Sequence, residues 1–199
     1  KVKIGTGTTD CNSNRLRLEV SFDKDIRTGK KDKNIWFSYF IYVPDTPDNL
    51  VDPLLQPYIT QFYGANHKEY GGQDRGGYGP QFSASIYNGK LTMDGVTLVD
   101  KENLKGKWHL IEFNILYSRT NGYVRAYING ELKVNREGFQ TSKHSHTHVK
   151  YGTYMHPEYG GAGYPTASGY PEGYKFPGHT IYFAEVSFAT ERSKLKTSK

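Results

Sequence analysis

Cysteine is nearly missing from this chain: Cys11 is the only one in 199 residues. That excludes an intramolecular disulfide framework and any multi-cysteine zinc or iron–sulfur site. Long apolar runs are missing too. The longest apolar-rich stretch runs from Ile35 to Val43, too short to cross a bilayer as a helix. Apolar residues total only 36%, yet charged residues stop at 23%, so global disorder is not expected. Acidic residues fall short of basic ones, 20 against 26, leaving a net charge of +6. Such a balance favours polyanionic partners without naming one. No amphipathic basic helix and no RNA-binding aromatic signature is found. The opening residues, Lys1-Val2-Lys3, show neither Met nor a signal peptide, so the compartment is not read from them.

What the chain does have is 17 Tyr, 10 Phe and 2 Trp, beside 22 Gly and 9 Pro. That mix favours strands and turns over helices. Period-two alternation dominates the sequence. Strands are predicted over Arg15 to Phe22, Ile35 to Val43, Tyr58 to Tyr63, Gln81 to Tyr87 and Lys90 to Met93. Further strands are predicted over Trp108 to Tyr117, Tyr123 to Ile128, Glu131 to Asn135, His144 to His156 and His179 to Phe188. Asn88-Gly89 and Asn129-Gly130 are tight-hairpin signals. Helix is confined to short turns near Asp48 to Leu55 and Lys101 to Leu104. Many short strands with turn chemistry between them predict one all-β domain, a β-sandwich or jelly roll. Its core should take Val124, Ala126 and Ile128 with Ile111, Phe113 and Ile115. Two Gly/Tyr-rich stretches, Gly64 to Pro80 and Pro157 to Gly178, are candidate rims over a groove. The basic end, Arg192 to Lys199, is expected to be a flexible, solvated tail.

Residues two apart on a strand share a face. Arg15, Arg17 and Glu19 share one, as do Gln61 and Tyr63. His144, His146, His148, Lys150, Gly152, Tyr154 and His156 share another, and Tyr123, Arg125 and Tyr127 a fourth. If all four faces line one sheet, they form a basic, aromatic groove. Such a groove suits an extended anionic sugar polymer, with rings stacking on Tyr and carboxylates pairing with Arg and Lys. An ordinary solvated sheet face is the plainer alternative.

These residues carry a family resemblance. Arg17-Leu18-Glu19-Val20 resembles the Arg-x-Glu-Leu strand of jelly-roll polysaccharide lyases. Gln61-Phe62-Tyr63 is similar to their Gln-Ile-His strand, and Lys150-Tyr151-Gly152-Thr153-Tyr154 to their Lys-x-Gly-x-Tyr strand. Trp108 to Gly130 resembles the Trp-His…Gly-Tyr-Val…Asn-Gly hairpin of heparin-lyase-like and glucuronan-lyase-like members. Order and spacing fit from about residue 10 to residue 190. The resemblance implies a single concanavalin-like jelly roll of two antiparallel sheets with a concave groove. It also implies β-elimination of a uronic-acid polysaccharide of alginate or polyglucuronate type, without a cofactor. Two positions depart from the pattern. Tyr63 stands where alginate-lyase-type members carry a His, and Met155-His156 stands where they carry x-Gln. The first departure removes an expected base and keeps a non-catalytic carbohydrate-binding module or lectin on the same fold as the alternative.

β-Elimination sets three jobs: offset the carboxylate charge so that C5–H becomes acidic, remove that proton, and protonate the leaving oxygen. Arg17 and Gln61 suit the first job. Tyr154 suits proton transfer provided cations lower its phenol from its ordinary pKa of ~10. Lys150 is such a cation. His67, in the Gly-rich stretch after Tyr63, is the other candidate base. Substrate contacts are expected from Lys150, Arg15, Tyr63, Tyr123, Arg125, Tyr127 and His156.

Other chemistries are less well supported. His144, His146 and His148 have metal-ligand spacing, but no Asp, Glu or Cys lies nearby to complete a site. Asp94, Asp100 and Glu102 match no calcium-loop pattern, and nothing around Cys11 marks a nucleophile. A glycosidase would need two carboxylates across one groove; Glu19, Glu112 and Glu185 each lack an acid two residues away. The expected protein is a monomer acting on an anionic polysaccharide, with neither nucleic acid nor membrane as partner and no metal. Secretion or a periplasmic location is expected from the substrate class alone.

Overall fold

Strand β3, Lys33–Tyr42, shows how the chain buries itself. Ile35, Phe37, Tyr39 and Ile41 are all at most 4% exposed, while the alternate residues turn outward. Two more strands repeat the pattern: β8, Trp108–Tyr117, and β9, Gly122–Ile128. The expected core residues Ile111, Phe113, Ile115, Val124, Ala126 and Ile128 are buried as the alternation predicts. The computed structural model describes residues 2–4, 16–22, 32–46, 49–50, 56–65, 79–142, 146–155 and 178–197.

The remaining strands are β1 (Val2–Ile4), β2 (Leu16–Phe22), β4 (Tyr58–Ala65), β5 (Gly79–Tyr87), β6 (Lys90–Met93), β7 (Val96–Val99), β10 (Glu131–Phe139), β11 (His146–Met155) and β12 (His179–Ala189). They form two six-stranded sheets. The back sheet runs β1-β12-β3-β8-β9-β10, and the front sheet runs β2-β11-β4-β5-β6-β7. Every strand pair in them is antiparallel. Sequence neighbours in different sheets, such as β2 and β3 or β11 and β12, make this the expected all-β jelly-roll sandwich. One helix, α1 (Lys101–Leu104), falls where a short turn was predicted. The other predicted turn, Asp48 to Leu55, lies almost wholly outside the described residues.

Aromatic rings fill the space between the sheets. Phe37 of the back sheet meets Phe62 of the front sheet edge-on, centroids 6.4 Å apart, and Tyr39 stacks on Tyr151 at 6.4 Å. The buried Tyr39 hydroxyl is satisfied across the gap by Thr60 Oγ1 at 2.6 Å. Burial pushes the Tyr39 phenol well above its ordinary range.

Asn88-Gly89, Asp94-Gly95 and Asn129-Gly130 all have positive φ at both positions, the geometry that two-residue hairpins require. The first and third were expected. The second creates β7, which the sequence reading passed over, as it did the three-residue β1. At one end of the sandwich, Arg136 of β10 bonds Asp94 between β6 and β7 at 2.8 Å, tying the two sheets together.

The basic end departs from expectation. Residues 192–194 form a 3-10 turn, and Leu195 is 8% exposed. Arg192 lies 4.7 Å from the Tyr127 ring and 5.5 Å from the Trp36 ring. Both its terminal bonds go to Glu112, a carboxylate buried on the outer side of β8. A buried carboxylate needs a cation, and the chain end supplies one, so this part of the end is folded onto the sandwich although Arg192 stays partly exposed.

Candidate active site on the front sheet

Strand β11 sends Thr147, Val149, Thr153 and Met155 into the core, each fully buried. Tyr151 packs on the core beside them. The intervening residues His148, Lys150, Gly152 and Tyr154 therefore face outward. Register then decides their neighbours. Tyr154 pairs with Arg17 and Gly152 with Glu19 on β2. On the other side, Lys150 pairs with Gln61 and His148 with Tyr63 on β4. Directly opposed residues share a face. Arg17, Gln61, Lys150 and Tyr154 thus occupy one side of three adjacent strands.

Two irregularities shape this surface. The β11–β4 register shifts between Tyr151 and Tyr154, and the β4–β5 register shifts between Tyr58 and Thr60. The extra residues rotate Tyr58 to the outer face, where its ring lies 6.0 Å from that of Tyr154. They also let both Ile59 and Thr60 be buried although they are consecutive. Tyr58 was not anticipated, because a bulge breaks the strict alternation on which parity rests. Gln61 is 4% exposed, so its amide is held in a largely dry position on this face.

Gly152 lets β2 approach. A Cβ there would stand 2.1 Å from the Leu18 carbonyl oxygen, and its φ of +137° is one that side chains rarely adopt. Glycine between Lys150 and Tyr154 therefore brings the Arg17 strand against the Tyr154 strand.

The same face continues across β5, β6 and β7. A groove of about 580 Å³ opens there, lined by Ser83, Ser85, Tyr87, Lys90, Thr92 and Thr97 among others. The sequence reading missed these residues. Their signal was present, since Ser83, Ser85 and Tyr87 alternate with the buried Phe82, Ala84 and Ile86.

Tyr123, Arg125 and Tyr127 require correction. They lie on β9 in the back sheet, so the four strand faces do not line one sheet. Their polar sides point away from the core on the opposite side of the sandwich, because Val124 and Ala126 between them are buried. They are engaged locally. Tyr123 donates to Asn34 Oδ1 at 2.9 Å. Arg125 pairs with Glu137 and bonds Asn135 Oδ1 at 3.0 Å, and this pairing holds the Glu137 carboxyl below the usual range. Tyr127 stacks on Trp36 at 5.8 Å beneath Arg192. Parity showed which side of β9 is polar but not which sheet the strand joins.

Arg15, His67, His144 and His156 lie outside the described residues, as do residues 66–78 and 157–177 of the two Gly/Tyr-rich stretches. Arg17 and Tyr63 are placed here by strand register alone. Among the described residues, no group of three or more His, Cys, Asp or Glu could hold a metal ion. The strand acids also divide: Glu19 is on the front sheet, whereas Glu112 and Glu185 are on the back sheet.

The fold is shared with several solved structures. An alginate lyase, AlyC3, aligns with a TM-score of 0.54 at 13% identity, covering 88% of this chain and 72% of its own. The catalytic domain of a glycoside hydrolase family 131 protein from Coprinopsis cinerea aligns at 0.54 and 15% identity, covering 96% and 69%. A chain of botulinum neurotoxin type C, whose cell entry depends on interaction with two ganglioside molecules, aligns at 0.53 and 11% identity. The present chain covers 39% of that neurotoxin chain and is itself 95% covered. At such identities the likeness is one of fold. Comparison with curated protein sequences gives no match. A family model described as polysaccharide lyase matches residues 1–187. Spanning nearly the whole sandwich, that match establishes that the chain belongs to the polysaccharide lyase family.

Proposed function

We propose that this chain cleaves a uronic-acid-containing polysaccharide by β-elimination. The observation that carries the reading is the register of three neighbouring strands: Tyr154 opposite Arg17, and Lys150 opposite Gln61, on one face. The reaction needs a proton-transfer group beside a cluster that neutralises a carboxylate. Three adjacent strands set such groups ~5 Å apart from strand to strand, within reach of one sugar ring.

In this reading the substrate carboxylate is bound by Arg17 and Gln61. Gln61 donates an amide N–H to it, and Arg17 supplies charge that strengthens its hold as the enolate-like anion forms. Tyr154 takes the C5 proton or returns one to the leaving oxygen, and Lys150 favours its ionised form. The C4–O bond breaks as the C4–C5 double bond forms, leaving an unsaturated uronate on one fragment. Tyr58, beside Tyr154, offers a second ring for stacking. His67 is the alternative base.

Incubation with alginate, polyglucuronate, heparin and hyaluronan tests the reading, with ultraviolet absorbance of the unsaturated product as the measurement. A rise with one of them is expected. No product from any, together with calorimetric binding of an oligouronate, would transfer the reading to a non-catalytic carbohydrate-binding module.

A further inference from the structure

The front face changes character along its length. Among the described residues, the β2–β11–β4 end carries Arg17, Lys150 and His148 beside one acid, Glu19. At the β5–β7 end the groove is walled by the hydroxyls of Ser83, Ser85, Thr92 and Thr97, with the 39%-exposed ring of Tyr87 at its side. Its charges cancel. Lys90 stands 3.8 Å from Asp100, and Asp94 bonds Arg136. With one lining cation and one lining anion, a second uronate there would meet no excess of positive charge.

Hydroxyls, the Asn88 amide at the groove's edge and one exposed aromatic ring are the groups that recognise an uncharged sugar. The ring stacks on C–H faces, and hydroxyls exchange hydrogen bonds with hydroxyls. Thr92 Oγ1 meets Ser85 Oγ and donates to the Ser85 carbonyl oxygen, both at 3.3 Å, long contacts that a ligand hydroxyl can replace. The groove's volume, about 580 Å³, is within the range of small-molecule sites. From β11 to β6 is three strand steps, roughly 14 Å. A pyranose unit is about as long as one strand spacing, so a polymer lying across the strands would set its second or third neighbouring sugar over Thr92.

We infer that the β5–β7 end is a binding site for a neutral, hydroxyl-rich sugar, so that the polymer recognised is a mixed one containing uncharged units as well as uronates. This rests on the reading of the Tyr154 end as the place of cleavage and adds the composition of the substrate to it.

The test is direct binding, read by NMR on the isotope-labelled protein with neutral xylotetraose, cellotetraose and mannotetraose as probes and tetraglucuronate as the comparison. At least one neutral probe is expected to shift Ser83, Ser85, Thr92 and Thr97 resonances. Tyr87→Ala should weaken that binding roughly tenfold, the scale of one lost stacked ring. Thr92→Val, nearly isosteric, should weaken it several-fold with the spectrum otherwise preserved. Failure of all three neutral probes to shift these resonances overturns the inference. So does equal binding of tetraglucuronate at them, or binding indifferent to both substitutions. Parallel product assays keep the two readings apart. Neutral-probe binding without unsaturated product from any polymer sinks the lyase reading alone, whereas product without neutral-probe binding sinks only this one.

Discussion

Arg192 and Glu112, eighty residues apart in sequence, form a two-pronged ion pair: Nε to Oε1 at 2.9 Å and Nη2 to Oε2 at 2.7 Å. Glu112 is buried and Arg192 is not, with side-chain exposures of 4% and 45%. Removing the cation leaves a carboxylate without its partner in a dry place. Arg192→Ala should therefore cost on the order of 2 kcal/mol, less than a fully buried pair because the guanidinium is partly solvated. Urea unfolding of the variant beside Glu112→Gln checks this. The neutral amide should be the milder change, and equal stability of Arg192→Ala and wild type would rule out a structural role for the pair.

Gly152 gives a second stability prediction. In Gly152→Ala the new methyl meets the Leu18 carbonyl oxygen at 2.1 Å and the Glu19 Cα at 2.9 Å, and backbone atoms cannot swing aside. Strand β2 must move away, at a cost of at least ~2 kcal/mol. The same movement separates Arg17 from Tyr154, so turnover should fall along with the melting temperature. An unchanged melting temperature would show that the β2 approach is looser than the register implies.

On catalysis, Tyr154→Phe keeps the ring and removes only the hydroxyl. Turnover should drop by roughly 10²- to 10⁴-fold, the scale of one general acid or base, with oligouronate affinity little changed. Arg17→Ala should lower both affinity and turnover, because its charge acts on the ground state and more strongly on the transition state. Calorimetry beside product absorbance separates these outcomes. Near-normal turnover in Tyr154→Phe would transfer the proton-transfer role to His67.

The pH dependence of stability centres on His179. His179 is 3% exposed, and neither ring nitrogen has a hydrogen-bond partner among the described residues. Burial lowers its pKa from 6.5 to about 4. In the unfolded chain this imidazole takes a proton as pH falls below 6.5, whereas in the folded chain it stays neutral until about 4. Stability from this residue is thus complete above pH 6.5 and is lost progressively down to about pH 4. The loss approaches ~3 kcal/mol at the lower end. His179→Phe, which cannot titrate, should flatten the stability curve across that window. Parallel curves for variant and wild type would contradict it.

Local chemistry made most of the strands legible. Side chains alternate across a strand whatever it pairs with, so the inward residues of β8 and β9 follow from their spacing alone. Asn-Gly steps mark hairpins because few other residues accept positive φ twice in succession. The outward Lys150 and Tyr154 could be read in the same way, since both lie on one strand. Tyr58 could not, because a bulge resets the alternation at that point.

Most strand positions, the Asn-Gly hairpins and the polar side of strands without a bulge were therefore determined by the sequence itself, because each depends on backbone geometry over a few residues. Sheet membership was decided only by the tertiary structure. Tyr123, Arg125 and Tyr127 have the same alternating pattern as Lys150 and Tyr154, yet β9 pairs with β8 and β10 and carries them to the other side of the sandwich. The folding back of Arg192 onto Glu112 and the hydroxyl-lined end of the front face arose in the same way. Pairing across many intervening residues is set by how whole strands share one core, and no local propensity encodes that choice.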